Sequence, residues 1–168
     1  MSGPRVVLVG PMGAGKSTVG RILAERWGVA FRDTDEDVEH AEGREISDIF
    51  VESGEQHFRA LEREAVARAL GEHVGVLAVG GGAVMTPETR ALLAGHTVVF
   101  LRVGLTDAAA RVGLGASRPL LLGNVRGTLK ALLDERAPVY EAVAGASVDT
   151  GGATPDEVAD RVEAALGE

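Results

Sequence analysis

No cysteine occurs among the 168 residues, which removes disulfides, thiolate chemistry and cysteine-based zinc sites from consideration. Lysine is nearly absent too, found only at Lys16 and Lys130, so arginine carries almost all of the positive charge. No run approaches the roughly 20 apolar residues of a membrane span. The apolar stretch at 6–9 is too short for the core of a secretory signal, and cytoplasmic residence is the expectation. His40, His57, His73 and His96 lack metal-ligand spacing and read as surface or helix-end residues. There is no internal repeat and no low-complexity segment. A formal net charge of -8 argues against a general nucleic-acid or membrane surface and toward small-molecule partners. With 45% hydrophobic and 25% charged residues the chain reads as an ordinary globule. Its length suits a single domain, 1–168, able to bury about 70% of the surface its unfolded form exposes.

Short β-branched runs at 6–9, 29–31, 76–79, 98–101 and 146–148 alternate with helical patterns, the signature of a parallel sheet covered by helices. Residues 17–27 carry Val19, Ile22 and Leu23 at helical spacing, and 58–70 carry Leu61, Ala65, Val66 and Ala69. Thr154, Pro155 and Glu157 predict a capping box with proline at the first helical position. Residues 113–127 differ from the rest: Gly113, Gly115, Gly123 and Gly127 punctuate them around Arg118-Pro119. They read as a mobile loop, and a connection of that length in a compact domain is usually functional or disordered.

Gly10-Pro11-Met12-Gly13-Ala14-Gly15-Lys16-Ser17 matches G-x-x-x-x-G-K-[ST], directly after an apolar strand and before an amphipathic helix. Glycines let successive N–H groups face a polyphosphate, and the following helix adds the positive end of its dipole. Lys16 then reaches the β- and γ-phosphates and the Ser17 hydroxyl is available to Mg²⁺, so the chain reads as a nucleoside-triphosphate binder. The third strand ends in Gly80-Gly81-Gly82 where a metal-binding aspartate is usual, which leaves Asp33 as the nearest metal carboxylate. In extended chain Asp33 and Asp35 point to the same side and address one ligand, one beside the metal and the other accepting a proton; the competing reading is a cap on the helix through Val38. The glycine triplet bares backbone N–H groups toward the cleft, or is simply a turn. Arg59, with Glu62 one turn on, and Arg136 suit a small carboxylated acceptor if the fold brings them together. Arg118 is placed to swing over the phosphates as the loop closes and excludes water.

Together these residues resemble shikimate kinases, within the nucleoside-monophosphate-kinase-like branch of P-loop proteins. The likeness runs through GPMGAGKST, FRDTDEDVE, GREISDIFVESGEQHFRALE, VLAVGGGAV, SRPLL and ERAPVYEAVA, in that order. It implies a three-layer α/β fold with a five-stranded parallel sheet of order 2-3-1-4-5, an acceptor-binding region at 33–62 and a mobile lid at about 112–126. It also implies transfer of the ATP γ-phosphate to the 3-hydroxyl of shikimate, on the route to chorismate and the aromatic amino acids, by a monomer that uses Mg²⁺ with ATP as co-substrate. Asp35 would contact the acceptor hydroxyls and act as base, with Ser17 and Asp33 toward the metal. Arg59, Arg136 and Gly80, Gly81 and Gly82 would hold the acceptor, with Phe50 and Phe58 as an apolar wall. Gly13, Ala14, Gly15, Lys16, Ser17 and Thr18 would hold the phosphates, Lys16 and Arg118 would face the transferring group, and Arg111 and Pro155 would flank the adenine. The residues alone leave open a gluconate or nucleoside-monophosphate kinase. A nucleotide-dependent switch is disfavoured, because neither a metal aspartate after the third strand nor a guanine-reading N-K-x-D element is present.

Overall fold

The computed structural model describes residues 3–11, 13–103 and 125–167. Five strands, β1 (Val6–Val9), β2 (Phe31–Asp33), β3 (Val76–Ala78), β4 (Val98–Arg102) and β5 (Ala146–Asp149), form one sheet in the order β2-β3-β1-β4-β5. All four pairings are parallel, with Val7 opposite both Leu77 and Val98. The helices among the described residues are α1 (Lys16–Trp27), α2 (Thr34–Glu42), α3 (Ile46–Ser53), α4 (Glu55–Glu72), α5 (Pro87–Leu93), α6 (Val125–Val143) and α7 (Pro155–Ala165), with a 3₁₀ turn at Ala83–Met85.

Every residue of β1 is buried because both faces of the sheet are covered, which is why the strand is apolar throughout rather than alternating. The period of two still sorts its side chains. Val6 and Leu8 pack with Val19 and Leu23 of α1 and with Val158 and Val162 of α7. Val7 and Val9 join Val66 and Leu70 of α4 and Tyr140 of α6 on the opposite face. Each such side chain taken from water contributes roughly 1.5–3 kcal/mol. A smaller cluster of Val38, Ile46, Ile49, Phe58 and Ala65 holds α2, α3 and α4 together beside the sheet.

The expected sheet order is therefore present, with small shifts of bounds: β3 ends at Ala78 rather than at 79, β4 and β5 each run one residue further, and β2 begins at Phe31 rather than at 29. Its bounds follow its ladder with β3, in which Phe31 faces Val76 and Asp33 faces Ala78. Val29 packs against the core from the connection that precedes the strand. The capping box of α7 is present in full, Glu157 N–H donating to Thr154 Oγ1 at 3.2 Å and Thr154 N–H to Glu157 Oε1 at 2.9 Å. Arg26 at the end of α1 ties that helix to α7 through Asp160 and Glu163, at 2.8 and 2.7 Å.

Candidate active site

The loop after β1 leads into α1 through Gly15, a left-handed residue at φ 88° where any Cβ would strain the backbone. No side chain caps α1, so its positive end faces the mouth of a cleft of about 620 Å³ at the carboxyl ends of the strands. Gly13, Gly15, Lys16, Ser17 and Thr18 line one wall of the cleft, and Asp33, Asp35, Gly80 and Gly81 line the other. The Lys16 ammonium donates to the carbonyls of Gly10 and Pro11 at 2.7 and 3.1 Å, so it rests on the loop. Ala14 and Pro155 meet elsewhere, in a recess of about 210 Å³ shared with Gly15, Thr18 and Thr150.

The extended-chain geometry expected for Asp33 and Asp35 is not what forms. Asp33 ends β2 as the N-cap of α2, and Asp35 already lies in the first helical turn. Aspartate is a strong N-cap because its carboxylate satisfies an orphaned backbone donor; here Asp35 N–H donates to Asp33 Oδ1 at 2.8 Å. The other oxygen, Oδ2, accepts from the Ser17 hydroxyl at 3.1 Å. Capping and site-facing roles thus coexist in one side chain, and both carboxylates still reach the same cleft. Burial and the neighbouring Asp35 charge push Asp33 above the ordinary carboxylate value, against its hydrogen bonds and the more distant Lys16.

The glycine triplet makes room for charged groups. A Cβ at Gly80 would stand 2.5 Å from Asp35 Oδ1 and 2.7 Å from Glu62 Oε2, and one at Gly82 would press into the Arg59 guanidinium. Thr34, fully buried, accepts the Gly80 N–H at 3.2 Å. Arg59 is braced as its spacing suggests, donating to Glu62 at 2.7 Å and lying 3.4 Å from Glu55. Arg136, on α6, comes to the same region beside Tyr140, whose hydroxyl donates to the Gly81 carbonyl while the Arg136 charge acts on the phenol. Phe58 is buried in the cluster under α2 to α4, with the Phe50 ring 4.8 Å away, and the two rings sit beneath the Arg59 guanidinium rather than along the main cleft.

The shikimate kinase family model matches residues 12–166. The chain belongs to the shikimate kinase family. It is 62% identical to a shikimate kinase of Salinispora arenicola over 97% of this chain and 98% of that one. It is 58% identical to one of Thermobifida fusca over 96% and 94%. Its fold matches that of a shikimate kinase from Acinetobacter baumannii solved in complex with shikimate, at TM-score 0.94 and 35% identity, covering 99% and 94%. Membership in a kinase family makes ATP the co-substrate.

Arg111, Arg118 and the lid expected at 112–126 fall within or across 104–124, outside the described residues. Among the described residues no helix is long and apolar enough to cross a membrane, and no three His, Asp or Glu side chains gather into a metal cluster. His73, at the end of α4, is buried, with Nε2 2.9 Å from the Val76 carbonyl, whereas His40 and His57 are exposed. Sequence reasoning passed over Thr34, Tyr140, and Glu39 and Glu45, which also line the cleft. Only Tyr140 had a usable signal: it stands four residues after Arg136, the spacing that puts two side chains on one helical face.

Proposed function

We propose that this chain moves the γ-phosphate of ATP to the 3-hydroxyl of shikimate, giving shikimate 3-phosphate and ADP, in the cytoplasm as a monomeric single domain. The observation that carries the residue assignment is the single cleft in which the Lys16 loop faces Asp35 and the glycine turn. The loop from Gly13 to Thr18 holds the phosphates, and the adenine takes the recess of Ala14, Thr18 and Pro155 with Arg111 on its other side. Arg59, Arg136 and the Gly80 to Gly82 turn hold the acceptor, and its ring lies toward Phe50 and Phe58. Asp35 accepts the proton of the attacking hydroxyl as the new O–P bond forms and the bond to the β-phosphate oxygen breaks, the electron pair leaving with ADP. Lys16 and Arg118 stabilise charge on the phosphoryl group in transit.

Ser17 and Asp33 fit Mg²⁺: both offer hard oxygens, they already meet at 3.1 Å, and the neighbouring Asp35 adds a second negative charge that a cation would offset. When bound there, the cation would neutralise phosphate charge, with water and phosphate oxygens completing its shell. ADP release measured with shikimate, gluconate, AMP and CMP as acceptors tests the reading. Turnover confined to shikimate supports it, and equal turnover with gluconate would refute it. Asp35→Asn should keep ATP affinity while losing about 10²- to 10⁴-fold in kcat.

A further inference from the structure

Tyr140 is the chain's one tyrosine and is 1% exposed, its ring 5.0 Å from that of Phe100 within the sheet core. A phenol at that depth needs a partner for its O–H. It finds one 59 positions away in the Gly81 carbonyl, the middle of the glycine turn. Arg136, one helical turn before it on α6, shares its helical face, and the charges of Arg136, Arg59 and Glu62 all act on the phenol. Burial holds the hydroxyl above its ordinary value, with Arg136 opposing, so the phenol keeps its proton at neutral pH. It donates to Gly81 and still has oxygen lone pairs to offer the Arg136 guanidinium on the same helical face.

Phenylalanine would fill the same space between α6 and the sheet, so packing alone does not call for the oxygen. A run of three glycines has wide backbone freedom and no side chain to hold it in place. A guanidinium on a long stem likewise loses entropy when fixed. We infer that Tyr140 is a positioning residue for acceptor binding: its hydroxyl pins the Gly81 carbonyl and aims the Arg136 guanidinium at the acceptor's carboxylate. The inference rests on the proposed role of Arg136 and adds to it the group that sets its direction.

The test measures KM and kcat of the parent, Tyr140→Phe and Arg136→Met with shikimate and with shikimate methyl ester, which has no carboxylate to pair with an arginine. Loss of a hydrogen bond to a charged group should raise the shikimate KM of Tyr140→Phe about tenfold, with kcat and the ATP KM within about twofold. With the methyl ester the change should be under about threefold, because the oriented guanidinium has no charge to meet. An unchanged shikimate KM, an equal loss for both acceptors, or a parallel rise in the ATP KM would overturn the inference. If Arg136→Met loses shikimate affinity while Tyr140→Phe does not, the inference fails and the reading of Arg136 stands; if Arg136→Met loses none, both fall. Should Tyr140→Phe not fold, the parent decides: tyrosine labelled with ¹³C at Cζ gives a single resonance in this chain. Saturating shikimate should shift it as Arg136 divides its bonds between phenol and carboxylate. An unmoved resonance would overturn the inference.

Discussion

Replacing Gly80 with alanine adds one carbon where the structure has no room for it. Gly80 is not among the glycines with positive φ, so alanine suits the backbone and the perturbation is the close contact itself. The new Cβ would lie 2.5 Å from Asp35 Oδ1 and 2.7 Å from Glu62 Oε2, where ordinary contact begins near 3.4 Å, so each oxygen is asked to retreat by most of an ångström. Glu62 is 2% exposed and bonded to Arg59 at 2.7 Å, which leaves it little freedom. Asp35, in the first turn of α2 and only half-buried, gives way instead. Displacing a reacting group by about 1 Å can cost about 10² in rate, while overpacking of this kind costs about 1–3 kcal/mol of stability. Gly80→Ala should therefore fold, bind ADP with parental affinity through the opposite wall, and lose about 10²-fold in kcat. Calorimetric titration with ADP, coupled detection of ADP release and a thermal melt separate the three quantities. A folded variant with kcat within about twofold of the parent would show that Asp35 does not need the place Gly80 leaves for it.

Asp33→Asn should raise Tm near neutral pH while abolishing Mg²⁺-supported turnover. Because the native state holds the Asp33 proton more tightly than the unfolded chain, the stability from this group is complete below its ordinary value of 3.8 and is lost as pH climbs through the elevated one. Asparagine caps a helix as well as aspartate does, so a lower Tm at neutral pH would contradict the argument. Titrating the native protein through pH 10.0, the ordinary midpoint of a phenol, should produce almost no tyrosinate absorbance until the chain unfolds, since Tyr140 is the one tyrosine and burial raises it. Half-ionisation at that pH in the native state would show a solvated ring. Gly71→Ala, exposed near the end of α4 with nothing within 4 Å of the added carbon, should stabilise by about 0.4–1 kcal/mol and move the urea midpoint at constant slope.

The central strands were legible because a strand covered on both faces must be apolar along its length, and 6–9, 76–79 and 98–101 have that property, whereas their order was implied only by the family resemblance. The bounds of the edge strand β2 were not, because Arg32 and Asp33 belong to it through main-chain pairing with β3, which side-chain polarity does not report. The same limit produced the error at Asp33 and Asp35. A period of two and a helix cap both fit the three residues Asp33, Thr34 and Asp35, and the choice between them depends on where β3 stops supplying partners. Lys16, Ser17 and the Arg59 to Glu62 pair were readable because their geometry is local to one loop or one helix. The bond between Tyr140 and Gly81 was out of reach for the opposite reason: a buried hydroxyl chooses a carbonyl across the fold, and no spacing encodes that choice.

The missing aspartate after β3 and the presence of Gly80 are one structural fact seen from two sides. A side chain there would occupy the volume that the Asp35 and Glu62 carboxylates share. In the proposed site its absence leaves the aspartate's role to the neighbouring strand, where pairing aligns Asp33 with Ala78 at the end of β3. The turn that follows then touches α4 through Arg59 and α6 through Tyr140. Helices α2, α4 and α6 thus meet at a segment with no side chains, and a shift in that turn would move the carboxylates and both arginines together. Occupation of either side of the cleft should consequently be felt at the other through Gly80 to Gly82, equally in both directions, and an acceptor affinity unchanged by saturating ADP would refute that coupling.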